Sequence, residues 1–220
     1  MEKYAGQEVA IASGQVEIKG TLSVAPGATG VVLFAHGSGS GRFSVRNNFV
    51  AEALHEAGMA TLLIDLLTED EDRNFETRFD IALLTQRLAD AASWLAEQPG
   101  TRALPVGLFG ASTGAAAALR VAAMPGGRIA ALVSRGGRPD LAGRAALEAV
   151  RAPTLLIVGG DDHDVLILNR DAYLRMHCEK RLEVVPGATH LFPEPGRLEE
   201  VAMIAASWFS SHFAALRRHG

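Results

Sequence analysis

The chain has 220 residues, 48% hydrophobic and 21% charged, with one cysteine and a formal net charge of −4 at pH 7. That is enough for one domain with a full core and a covered surface, and it excludes a disordered chain, a collagen and a disulfide scaffold. The 21 Lys and Arg are scattered among 25 Asp and Glu, so no positive field exists to gather nucleic acid.

Met1 to Gly6 is polar and lacks the basic-then-apolar order of a secretion signal. No later run approaches the roughly 18 apolar residues of a membrane span, and the lone Cys178 suits a reducing compartment. The expected address is therefore the cytoplasm, with no membrane partner. Val9 and Ile11, then Val16, Ile18, Leu22 and Val24, alternate across a Ser13-Gly14 turn, the pattern of an antiparallel hairpin. The style then changes to continuous apolar runs, Val31 to Ala35, Ala60 to Ile64, Pro105 to Phe109, Ile129 to Val133 and Pro153 to Val158, as in strands buried on both faces. Arg181 to Val185 is half polar and reads as an edge strand.

Helical spacing separates these runs. Phe49, Ala53 and Leu54 share one helix face, and Ile81, Leu84, Leu88, Ala91 and Leu95 share another before Pro99-Gly100. Ala115 to Met124 is alanine-rich, Leu141 to Val150 and Leu166 to Met176 are weaker helices, and Leu198, Val201, Ile204 and Trp208 mark a last one. Strands alternating with helices after a hairpin predict one α/β domain over 1–220: a mostly parallel sheet of about eight strands with helices on both faces. Ligands of such sheets sit beyond the carboxyl ends of the strands.

The loop after Phe109 reads Gly110-Ala111-Ser112-Thr113-Gly114 and opens the alanine-rich helix. A serine at a sharp strand-to-helix turn of this G-x-S-x-G form is thrust above the sheet, and the N–H of Thr113 at the helix start faces the site of a developing oxyanion. Such a serine needs a base, and the base needs an orienting acid. Asp161, Asp162 and Asp164 follow the Thr154 to Val158 strand, and His190 follows Val184-Val185, so serine, acid and histidine come in the order this architecture requires.

With these motifs the chain resembles the α/β-hydrolase superfamily, and within it the small, lidless dienelactone-hydrolase-like branch. The marks are His36-Gly37 after a buried strand, the elbow at Ser112, the Asp-rich loop and Gly187-x-x-His190, and they span nearly the whole chain. The superfamily's acid loop often reads G-x-x-D-x-x-V. On that resemblance Gly159, Asp162 and Val165 select Asp162, with Asp161 and Asp164 as the other candidates. The resemblance likewise implies a second oxyanion donor at the N–H of Ser38. Dienelactone hydrolases proper carry a cysteine where this chain has Ser112, so dienelactone itself is not the expected substrate. Only Ser134 to Ala152 stands where the superfamily commonly inserts a lid, so no separate cap is expected.

His36, Arg42, Arg46, Arg135 and Arg138 flank the expected mouth and are candidates for substrate binding, the arginines through bidentate contacts to a carboxylate. The plainer reading of the arginines, which we take as the default, is pairing with Asp65, Glu69 and their neighbours, or solvation. Two rivals remain. The Gly37 to Gly41 run followed by a helix, a strand and Asp65 outlines a dinucleotide site, with its third glycine one residue early. Asp161 to Asp164 offers metal ligands, but in consecutive positions that cannot all face one ion. The expectation is a serine hydrolase acting on short carboxylic esters through an acyl-enzyme, with no metal or cofactor. Its partners would be a small-molecule ester and, on the protein side, at most a second copy in a homodimer. A thioesterase, lactonase or peptidase would use the same machinery, and a nucleotide-binding or catalytically idle α/β protein is the alternative of another class.

Overall fold

The computed structural model describes residues 6–219, so the polar start at Met1 to Ala5 lies outside the described residues. Eight strands form one sheet in the order β1-β2-β4-β3-β5-β6-β7-β8. β1 (Gln7–Ser13) and β2 (Val16–Ser23) are the antiparallel hairpin, closed by Gly14 at φ 62°, and β2 also runs antiparallel to β4 (Ala60–Ile64). The remaining neighbours are parallel: β3 (Val31–Ala35), β5 (Val106–Ala111), β6 (Ile129–Arg135), β7 (Thr154–Gly159) and β8 (Lys180–Val185).

The apolar runs are continuous because both faces of the central strands are covered. In β3, Val31, Leu33 and Ala35 join one core and Val32 and Phe34 the other, the period-2 alternation of a pleated strand with two apolar sides. Against the first core pack α3 (Ile81–Glu97) and α4 (Thr113–Ala122); against the second pack α1 (Val45–Glu56) and α7 (Arg197–His219). Phe209 and Phe213 of α7 stack with ring centroids 5.7 Å apart and are fully buried. They fit because β5 carries Gly107, where a Cβ would come 2.6 Å from the Phe209 ring. The half-polar run is indeed the edge strand β8.

Two expectations change, and one short helix is added. The α1 face turned inward is Asn47, Val50, Ala51, Leu54 and His55, while Phe49 is 36% exposed. The helix expected over Leu141 to Val150 is divided at Gly143 (φ 86°) into a 3-10 turn over Pro139–Ala142 and α5 (Arg144–Ala149). Between β4 and α3 lies a short α2 (Glu69–Asp72), closed by a reciprocal cap in which Thr68 Oγ1 accepts from the Glu71 N–H and Glu71 Oε2 accepts from the Thr68 N–H. α6 (His163–Arg175) follows β7 as expected. No helix among the described residues is long and apolar enough to cross a membrane.

Candidate functional site

β3, β5, β6, β7 and β8 are successive neighbours in the sheet, and their carboxyl ends deliver His36, Ser112, Arg135, Asp162 and His190 to one edge. Ser112 sits between β5 and α4 at φ 50°, ψ −119°, a backbone region that glycine favours. The turn closes because its neighbours have no side chain. A Cβ on Gly114 would lie 2.3 Å from the Ala35 carbonyl oxygen, and one on Gly37 would lie 3.0 Å from Ser112 Cβ. The loop after β3 therefore lies directly against the nucleophile position.

His190 Nδ1 donates to Asp162 Oδ2 at 2.6 Å, which leaves Nε2 as the ring's acceptor. Of the three candidate acids, Asp162 alone bonds to His190 among the described residues. Asp161 is exposed, with its N–H on the Ala188 carbonyl, and Asp164 is exposed in the first turn of α6. The acid and histidine loops are held backbone to backbone, since the Gly160 N–H donates to the Val185 carbonyl at 2.8 Å and the Asp161 N–H to the Ala188 carbonyl at 3.0 Å. At Gly159 a Cβ would lie 2.3 Å from the Ala188 carbonyl oxygen. Ser38 and Thr113 line one small crevice together with His36, Gly37, Gly39 and Arg78. Neither of their amides makes a backbone hydrogen bond among the described residues.

Both ring nitrogens of His36 are committed within the fold. It is 5% exposed, its Nε2 accepts from the Leu66 N–H at 2.9 Å, and its Nδ1 donates to the Gly37 carbonyl at 2.8 Å. Burial pushes its pKa below the usual histidine value, against the opposing effect of the Gly37 hydrogen bond. It is a neutral strut that ties the loop after β3 to the end of β4. Arg42 is likewise committed: its N–H donates to Asp65 Oδ1 at 2.7 Å, and its guanidinium pairs with Asp65 Oδ2 and with Glu8. Asp65, the acid a dinucleotide site would turn to a ribose, is thereby occupied. Arg138 makes a two-pronged pair with Asp140 at 2.9 and 2.7 Å. These two arginines pair with carboxylates, as the default reading expects.

Arg46 and Arg135 differ: neither makes an ion pair among the described residues. Arg78 beside the crevice was missed in the sequence, because Glu69 to Phe79 carries too little apolar periodicity to place it. Its Nε donates to the Asp72 carbonyl at 2.6 Å. Cys178 lies away from the edge, half-buried, with its thiol pKa raised by burial. Among the described residues no cluster of three His, Cys, Asp or Glu could hold a metal ion. A groove of about 1010 Å³ is lined by Pro105, Val106 and Ile129 at the amino ends of β5 and β6 and by Leu216 of α7, remote from Ser112.

The sequence profile of the Dienelactone hydrolase family matches residues 21–219. A crystal structure of dienelactone hydrolase from Anabaena variabilis is 53% identical, with a TM-score of 0.91, covering 94% of this chain and 99% of that one. Est1E from Butyrivibrio proteoclasticus shares the fold at 16% identity and a TM-score of 0.80, covering 94% and 99%. Two Mycobacterium tuberculosis proteins provisionally named phosphoribosyl transferases are 57% identical over 206 residues, which is 94% of this chain and 46% of theirs. The chain therefore spans about half the length of these curated relatives.

Proposed function

The chain belongs to the dienelactone hydrolase family, and we propose that it is a serine hydrolase of carboxylic esters working through an acyl-enzyme. The observation that carries this reading is the 2.6 Å bond from His190 Nδ1 to Asp162 on the same sheet edge as a serine held in the strained backbone of a strand-to-helix turn. His190 Nε2 takes the Ser112 proton as Oγ attacks the ester carbonyl. The N–H groups of Thr113 and Ser38 receive the oxyanion, aided by the positive end of α4. His190 then returns the proton to the departing alkoxide. Asp162 keeps the proton on Nδ1 and stabilises the imidazolium while it lasts. Water repeats the sequence on the acyl-enzyme and frees the acid. The cysteine of the family's namesake is replaced by Ser112, a harder nucleophile that needs its base for every attack.

The transferase name of the curated relatives attaches to proteins of which the matched segment is 46%. For this segment the donors and base described above favour acyl transfer to water. The test is labelling by a fluorophosphonate: one adduct on Ser112 by peptide mass, absent in Ser112→Ala, is expected. An unlabelled wild-type protein would overturn the reading.

A further inference from the structure

Two of the four arginines at the mouth make no ion pair among the described residues. Arg135 ends β6 and is 5% exposed, and Arg46 lies half-buried in the first turn of α1. The Nε of each is buried without a hydrogen-bond partner. The Arg135 guanidinium makes a single long side-chain hydrogen bond among the described residues, 3.5 Å from Nη2 to Asn47 Oδ1, and its Cζ stands 6.0 Å from the centroid of the Phe192 ring. Burial, and then the charge of Arg46, pull the Arg135 pKa down to about 10. A buried cation next to a second cation is a costly arrangement for a fold to keep. An anion between them removes that cost.

The place is suited to a substrate. Arg135 is the register partner of Ala111, the residue before the nucleophile, and its carbonyl accepts the Ser112 N–H at 3.3 Å. The next residue, Gly136, packs against the His190 ring, at 3.5 Å from a Cβ built there. Arg135 therefore leaves the sheet at the same edge as Ser112, and the Asn47 that its guanidinium meets is the neighbour of Arg46 in α1.

Resting on the ester-hydrolase reading above, we infer that Arg46 and Arg135 form a subsite for a phosphate monoester carried by the substrate. A carboxylate brings one charge and two coplanar oxygens, which a single guanidinium fork already satisfies. A phosphate monoester carries about −1.5 to −2 at neutral pH and three oxygens around a tetrahedral centre. It offsets two cations and bridges forks that come from different elements, one on a helix and one on a strand. The bond cleaved remains the carboxylic ester, and the phosphate is held unchanged.

The experiment is calorimetric titration of Ser112→Ala with inorganic phosphate, sulfate and acetate at pH 8 and matched ionic strength, so that binding is read without turnover. Phosphate and sulfate should bind at one site, with acetate at least ~10-fold weaker, and Arg46→Gln should weaken phosphate by at least ~10-fold. Arg46 is half-buried on a helix surface, so this variant should fold, which circular dichroism checks. In the active protein, the ratio of kcat/KM for the p-nitrophenyl ester of 3-phosphonopropionic acid over that for p-nitrophenyl butyrate should fall at least ~10-fold in Arg46→Gln. Acetate binding as tightly as phosphate would make the subsite a carboxylate one and overturn the assignment. So would phosphate that fails to bind, or that binds Arg46→Gln equally well. Failed labelling of Ser112 with phosphate binding intact would instead strike the hydrolase reading alone.

Discussion

Ser112 holds φ 50°, ψ −119° because β5 must hand the chain to α4 within one residue, and that residue cannot relax without withdrawing Oγ from the edge. Backbone of this kind costs on the order of 1–3 kcal/mol in a residue with a Cβ. Two substitutions separate the chemistry from the strain. Ser112→Ala should lower p-nitrophenyl acetate hydrolysis at least ~10³-fold, the scale of losing a triad member. Ser112→Gly should be as inactive yet more stable, by about 1 kcal/mol after the entropy of glycine in the unfolded chain is allowed for, or ~2–4 °C in Tm by calorimetry. A less stable Ser112→Gly would mean the turn is not strained. The acid is tested in the same way: Asp162→Asn should cost far more in kcat than Asp161→Asn or Asp164→Asn, because only Asp162 meets His190. The elbow motif and chain order pointed to Ser112 and His190, whereas Asp162 was chosen from three aspartates only through the acid-loop register of the family resemblance. The fates of Arg42, Arg46, Arg135 and Arg138 were not legible in the sequence, because whether an arginine is committed depends on a carboxylate that is distant in sequence, as Asp65 is from Arg42.

At the scale of elements, the boundaries that could be read were those set by burial. β3 and β4 match the apolar runs Val31 to Ala35 and Ala60 to Ile64 residue for residue, because a strand covered on both faces ends where its apolar run ends. In α1, Leu54 and Ala53 face the core as expected, but Phe49 does not. The inner face of the helix includes the polar Asn47 and His55, which an apolar tally assigns to solvent. The link between β3 and β4 is stronger than the pattern suggested, because His36 ties them through Leu66. That strut requires a neutral ring. Burial lowers the pKa of His36, and burial likewise lowers that of His55. The unfolded chain therefore takes up these protons more readily than the folded one. Their stabilising contribution is complete above the ordinary histidine value of about 6.5 and is lost as pH falls from there through the lowered folded values. Tm should drop between about pH 6.5 and 5, and less steeply in His36→Gln, whose amide oxygen can still accept from Leu66. Parallel Tm profiles for the two proteins would refute the strut.

At the scale of the molecule, the insertion point for a lid holds only a 3-10 turn and α5, both within Pro139–Ala149. Nothing there builds a deep acyl tunnel. A tunnel would reward chain length at about 0.8 kcal/mol per buried CH₂; an open edge does not. Across p-nitrophenyl esters from acetate to palmitate, kcat/KM should peak at about two to six carbons. A maximum at twelve or more would require a wall supplied by another chain. Most of this architecture was visible in the alternation of strand and helix patterns, whereas the short segments between β4 and α3 were not. They are held by side-chain bonds such as Arg87 to Glu71 at 2.8 Å rather than by an apolar face.

The acid and the histidine reach the site from β7 and from β8, and β8 is the outermost strand. One side of it has no neighbour in the sheet, and Val184 is 37% exposed. Fluctuations of such a margin open at lower free energy than the centre of the sheet, where β3 and β5 lie. In the proposed mechanism Ser112, Ser38 and Thr113 belong to the part that opens last, and His190 belongs to the part that opens first. Warming should therefore silence the enzyme reversibly while its serine is still correctly seated, and slow hydrogen exchange at the sheet's centre would coexist with lost turnover.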